Sequence, residues 1–179
     1  MSAGRRESLL GALVSYRASG PDDEAVLNRV LAFLHEPDPF RRTHPVGHVT
    51  ASAVVARPTG DPFLLVFHRK LDRWLQPGGH VESDDPSVFA AEAREETGIR
   101  NFESPIGDTV LDLDVHAIPA HGTDPAHLHY DVRFLLTTED DLVPSPGAAW
   151  FSPLEIGAAD SDGSLARVTL KAALRLAPR

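Results

Sequence analysis

The chain has 179 residues, enough for one domain with a substantial core, and its 42% hydrophobic and 24% charged content is that of a globular protein. A formal charge of −9 argues against holding nucleic acid polymers or anionic membranes on a basic surface. Cysteine is absent, which excludes disulfides, thiolate metal sites and cysteine nucleophiles.

Glu7, Ser8, Ser15 and Tyr16 interrupt the apolar stretch behind Arg5 and Arg6, and no apolar run approaches the roughly 18 residues of a spanning helix. A cytoplasmic protein with no membrane association is expected. Residues 7–16 and 23–35 predict two helices. In the second, Val26, Val30, Phe33 and Leu34 make an apolar stripe, with Asp22 or Asp23 as N-cap. Pro37 and Pro39 end helix formation. Some 40 residues are too few to hold themselves together. Residues 1–45 therefore read as a helical extension packed on a core at 48–176, all within a single domain, 1–179.

Residues 48–57 and 62–68 are β-rich and flank a turn at 58–61, which predicts a hairpin. Residues 77–81 read as a tight turn into a short strand. Pro86 suits the first turn of a helix that runs to Thr97, where Gly98 supplies a left-handed C-cap. Along 109–118, Val110, Leu111, Leu113, Val115 and Ile118 alternate with Asp112, Asp114 and His116, as in a strand. After a polar loop at 119–127, residues 129–137 predict a strand with Tyr130, Val132, Phe134 and Leu136 on one face. A short strand at 149–151, a helical turn at 153–156 and a closing helix at 164–176 complete the chain. Strands and helices mix without βαβ regularity, so the class is α/β in the α+β sense, with a partly antiparallel sheet.

Glu92, Glu95 and Glu96 stand at i, i+3 and i+4 and so share one helix face near its C-terminal end. Like charges there cost roughly 0.2–0.5 kcal/mol per neighbour, and anions at a helix C-terminus about 0.3–1 kcal/mol more each. A divalent cation turns that repulsion into attraction; the competing reading is a solvated acidic face. The cation expected is Mg²⁺ or Mn²⁺, which take oxygen ligands. Without a side chain, Gly79 lets its backbone carbonyl reach in beside the carboxylates.

The run from Pro77-Gly78-Gly79 through Glu92-Ala93-Arg94-Glu95-Glu96-Thr97-Gly98-Ile99 resembles the Nudix box. Gly79 matches its opening glycine, and Glu92, Ala93, Glu95, Glu96, Gly98 and Ile99 match its second half. The lead-in, Phe67 to Lys70 and Trp74 to Pro77, is also similar to members of that family. Two positions depart from the pattern. Asp85 stands where the first glutamate belongs, with a spacer two residues short, and Ala91 replaces the arginine that helps orient the glutamates. The resemblance implies an α/β/α sandwich around a mixed sheet. It also implies water attack on a phosphate of a nucleoside diphosphate linked to another moiety, with Mg²⁺ or Mn²⁺ held by Gly79, Glu92, Glu95 and Glu96. Glu95 or Glu96 is the expected general base; an acid among Glu139, Asp140 and Asp141 is the competing one.

Arg69, Lys70 and Arg73 lie between the hairpin and the box, where cations could meet phosphate oxygens. Trp74, Tyr130, Trp150 and Phe151 could stack on a base or pack in the core. His127 and His129 point to one strand face, as a metal pair or a substrate contact. The substrate-binding set expected is therefore Arg69, Arg73, Trp74, His127 and His129. Arg133 is placed to pair with Asp131. Two functions stay open: a pyrophosphohydrolase acting on a small nucleotide-type substrate, and a weak or inactive module of the same fold that binds a nucleotide or sugar-nucleotide. A homodimer and a monomer are equally compatible with these residues.

Overall fold

All ten residues of β1, Gly47–Ala56, are buried, as suits a central strand covered on both faces. The computed structural model describes residues 2–69, 71–81, 88–141, 147–160 and 163–178. Side chains at 2, 3, 88–92 and 159 lie outside that description. The strand β1 runs parallel to β6, His127–Thr137, in unbroken register from Gly47↔Leu128 to Ala56↔Thr137. On its other edge β1 forms the expected hairpin with β2, Phe63–His68, paired at Val55↔Leu64 and Ala56↔Phe63. Beyond those pairs each arm takes a new partner. Strand β3, Arg73–Leu75, pairs with β2, and β4, Gly78–His80, pairs with β1. The chain at 73–80 thus fills the opening of the hairpin.

Strand β5, Val110–Ile118, lies antiparallel outside β6, and β7, Ala148–Phe151, pairs with β2. The path is β3-β2-β1-β6-β5, a mixed sheet. Alternation sends successive side chains to opposite faces. Val49, Ala51, Ala53, Val55, Tyr130, Val132 and Phe134 join one core with helices α1 (Ser2–Val14), α2 (Pro21–Phe33) and α3 (Val88–Thr97). Val54, Ala56, Phe63, Leu65, Leu111 and Leu135 join the other with α4 (Pro153–Ala159) and α5 (Ser164–Leu176). The α/β/α sandwich expected from the sequence is the fold.

The elements form near where the spacing put them, with differences of detail: α1 spans Ser2–Val14 rather than 7–16, α2 Pro21–Phe33 rather than 23–35, and α4 runs on from 156 to Ala159. Asp22 and Asp23 are not the N-cap of α2; Gly20 is, because Pro21 occupies the first helical position and needs no hydrogen-bond acceptor. Asp23 instead turns back to accept from the Ser19 backbone and hydroxyl, both at 2.8 Å. The strand β6 starts at His127 rather than at 129. Gly98 has φ 74°, and its amide bonds Arg94 O at 2.9 Å, closing α3 as predicted. The expected start of that helix at Pro86, and Asp85 with its short spacer, fall outside the described residues.

Helices α1 and α2, with the residues just after each, pack on the sheet through Leu13, Tyr16, Val30, Phe33 and Leu34, all buried. Phe33 lies flat on Tyr130, with ring centroids 3.8 Å apart and planes 2° apart. Full burial of such a ring contributes roughly 1.5–3 kcal/mol.

Candidate functional site

Ala93 and Thr97 are fully buried on the inner face of α3, and that anchoring turns Glu95 and Glu96 outward. Glu92 lies on the same helix; its side chain, like that of Ala91, is outside the described residues. Glu96 Oε2 accepts a hydrogen bond from the Gly78 amide at 3.0 Å. The last turn of the acidic helix is thereby tied to the strand that carries Gly79. Gly78 has no room for a side chain, since a Cβ there would sit 2.5 Å from Ser52 Oγ and 2.8 Å from Ala51 O. The carboxylate oxygens that face out at this junction are hard ligands of the kind that suits Mg²⁺ or Mn²⁺.

A block of polar side chains covers the neighbouring part of the sheet. By register His48, Thr50 and Ser52 of β1 lie beside His129, Asp131 and Arg133 of β6. Those in turn lie beside His116, Asp114 and Asp112 of β5. Asp131 accepts from Thr50 Oγ1 at 2.9 Å, Ser52 Oγ at 2.8 Å and Gln76 Nε2 at 3.3 Å. The Arg133 guanidinium, only 3% exposed, reaches Asp131 at 3.0 Å, Asp114 at 3.0 Å and Asp112 at 3.2 Å. From α5, Arg167 and Lys171 reach Asp112 at 2.9 and 2.6 Å. Three carboxylates thus face three cations, which is what allows Asp112 to be fully buried. Burial alone would raise the Asp114 pKa, but the hydrogen bond from His116 and the charge of Arg133 hold it well below the usual range. Arg133 is held above its ordinary value: burial opposes its charge, and the three surrounding carboxylates outweigh that.

The outer row of this block is a cluster of histidines. The buried His48 ring lies 4.7 Å from that of His129, 4.8 Å from His80 and 5.1 Å from His127, centroid to centroid. His116 stands 5.5 Å beyond His129. Neither ring nitrogen of His48 has a hydrogen-bond partner among the described residues. An unsatisfied buried donor costs about 1–3 kcal/mol. Burial, followed by the neighbouring imidazoles, pushes the His48 pKa down to about 4 and that of His129 to about 3. Both rings are neutral near pH 7 and carry one lone pair each.

The family model for the NUDIX domain matches residues 46–172. That match begins one residue before β1 and ends within α5. The chain belongs to the Nudix family. It is a Nudix-type pyrophosphohydrolase, with α1 and α2 added ahead of the matched part. Among solved structures, a possible asymmetric diadenosine tetraphosphate hydrolase from Jonesia denitrificans superposes with a TM-score of 0.56 at 16% identity, over 76% of this chain and 100% of that one. The Ap4A hydrolase of C. elegans gives 0.46 at 20% identity, covering 72% and 98%. The E. coli dihydroneopterin triphosphate pyrophosphohydrolase gives 0.48 at 17%, covering 68% and 91%. No curated protein sequence matches the chain.

Within this Nudix domain the other residues singled out from the sequence scatter. Arg69 is exposed in the turn between β2 and β3, and Lys70 lies outside the described residues. Arg73 and Trp74 are on β3; the Trp74 ring packs edge-on to Phe67 at 5.3 Å and against Phe151 at 4.9 Å. Tyr130 belongs to the core, and Trp150 lies under the Arg57 guanidinium at 4.4 Å. Of the late acids, Asp141 pairs with Arg57 at 2.9 Å and Asp140 accepts from Asn101. His127 and His129 do come together, with Nε2 atoms 3.3 Å apart. Sequence reasoning missed His48 as a member of this group, and His80 with it. The His-Val-Thr-Ala-Ser alternation of β1 was the available signal, because it puts His48, Thr50 and Ser52 on one face. No helix among the described residues is long and apolar enough to cross a membrane.

Proposed function

We propose that this pyrophosphohydrolase is metal-dependent and acts on a nucleoside diphosphate linked to a second moiety, by water attack on one phosphate. The observation that carries the reading is the Glu96–Gly78 hydrogen bond at 3.0 Å, which joins the acidic end of α3 to the strand of Gly79. Gly79 O, Glu92, Glu95 and Glu96 would hold Mg²⁺ or Mn²⁺. Such a cation, when bound, neutralises the diphosphate and acidifies a water. Glu95 or Glu96 accepts the proton of the attacking water. Arg69 and Arg73 meet phosphate oxygens, and Trp74, His127 and His129 contact the groups on either side of the diphosphate. Net negative charge elsewhere on the protein favours a small ligand over a nucleic acid polymer.

The test is a panel of nucleoside diphosphate derivatives and dinucleoside polyphosphates incubated with Mg²⁺ and scored for mononucleotide release. Release that stops on adding EDTA, and falls about 10²–10⁴-fold in Glu95→Gln or Glu96→Gln, is the expected result. Release unchanged in both variants overturns the assignment of the base. No release from any compound overturns the proposed substrate class.

A further inference from the structure

We infer that His48, His80 and His129 form a binding site for a first-row transition-metal cation, of which zinc is the simplest occupant. It is distinct in its ligands from the carboxylate set on α3. One ligand atom from each of these three side chains lies within 4.8 Å of the other two. A tetrahedral cation with nitrogen ligands at roughly 2.0–2.1 Å spaces those nitrogens roughly 3.3–3.4 Å apart, so the three rings must draw closer together as a cation binds. Three strands bring the ligands together: His48 from β1, His129 from its parallel neighbour β6, and His80 from β4, paired to β1 at Thr50.

The chemistry of the cluster selects the occupant. Imidazole suits zinc, nickel, cobalt or copper far better than magnesium. A metal takes the lone pair of a neutral imidazole, and each of these three side chains can offer one. His48 supplies the second observation, a buried side chain whose ring nitrogens are both without a hydrogen-bond partner among the described residues. A bound cation occupies its lone pair. The flanking His127 is oriented as a supporting residue. Its Nδ1 lies 2.8 Å from Pro125 O, and a carbonyl only accepts, so Nδ1 carries a proton and, in the neutral ring, Nε2 holds the lone pair. That lone pair faces His129 Nε2 at 3.3 Å. His129 either donates Nε2–H to it, keeping the Nδ1 lone pair for the metal, or binds the metal through Nε2 with His127 beside it. In both cases a neutral His129 offers one lone pair to a cation. Metal-binding histidines commonly have their second nitrogen fixed in this way.

The site does not rest on the hydrolase reading, and its test reads binding rather than turnover. EDTA-treated full-length protein is titrated with Co²⁺, and the visible absorption of the bound ion is followed, then displaced with Zn²⁺. One equivalent is expected to bind, unaffected by excess Mg²⁺ and retained in the Glu95→Gln/Glu96→Gln double variant. Affinity is expected to fall at least about 100-fold in His80→Gln and in His129→Gln. A measurement on the unaltered protein covers the case in which a variant does not fold. Zn²⁺ should move the imidazole nitrogen resonances of His48, His80 and His129 and leave those of His35 and His121 in place. No Zn²⁺-displaceable absorption, loss of binding in the glutamate variant alone, or unmoved resonances of those three histidines each overturns the site.

Discussion

Glu96 and Gly78 are 18 residues apart in sequence, yet the carboxylate of one accepts the amide proton of the other at 3.0 Å. That contact depends on the Gly78 backbone lying close against Ser52. Gly78→Ala forces its new Cβ to within 2.5 Å of Ser52 Oγ and 2.8 Å of a backbone oxygen, so β4 must shift away from β1. A loss of about 1–3 kcal/mol in urea denaturation is expected, with a fall in Mg²⁺-dependent turnover. Gly157→Ala on α4, where an added Cβ meets nothing within 4 Å, is the control. It should be neutral, or stabilising by roughly 0.5–1 kcal/mol.

Arg133 is the centre of the buried charge block, touching Asp112, Asp114 and Asp131. Arg133→Met keeps much of the volume and leaves the carboxylates short of a cation in a dry place. The expected cost is about 3–5 kcal/mol at pH 7, read as a lower denaturation midpoint. An unchanged midpoint would mean that water or rearrangement replaces the guanidinium.

Asp23 links the N-terminal helices to α5. Burial alone would raise its pKa, but hydrogen bonds from Lys171 Nζ at 2.7 Å and Tyr16 OH at 2.5 Å, with those from Ser19, hold it well below the carboxylate range. Lys171 also meets Asp112 at 2.6 Å, and Arg167 lies on the same side of α5. A carboxyl with a lowered folded-state pKa stabilises fully above its unfolded value, roughly 3.9, and progressively less as pH falls below it. Asp23→Asn should therefore destabilise by a constant amount from about pH 5 to 7, and by a shrinking amount below about pH 4. Chemical denaturation at three pH values checks this; a difference that grows on acidification contradicts it.

Phe33 ties the helical extension to the sheet through Tyr130. Phe33→Ala should cost about 3–5 kcal/mol and weaken the near-ultraviolet circular dichroism of that tyrosine. Loss of the dichroic signal with no change in stability would show the extension to be only loosely coupled to the core.

Local pattern carried the sequence far. The closing helix at 164–176 emerges with the predicted ends because one apolar stripe, Leu165, Val168 and Ala172, is enough to specify it. The hairpin turn and the Gly98 cap are likewise properties of a few adjacent residues. The alternation of β5 showed that Asp112, Asp114 and His116 share a face, but not that Asp112 is fully buried there. Its neutralising partners, Arg133, Arg167 and Lys171, come from 21, 55 and 59 residues away. The Asp131–Arg133 pair was legible because it is short-range, two residues along one strand. The histidine group was half visible for the same reason. His127 and His129 share a strand, whereas His48 and His80 join them only through strand register, which no window of sequence contains.

The parallel partnership of β1 with β6 also constrains the order of events during synthesis. Thr50 must wait for Asp131, 81 residues later, before its side chain finds its acceptor. Until that stretch has left the ribosome, the box helix has no finished platform to dock on, and the apolar length of β1 depends on temporary shelter. Maturation of the acidic junction therefore follows the emergence of β6, well after its own residues have been made.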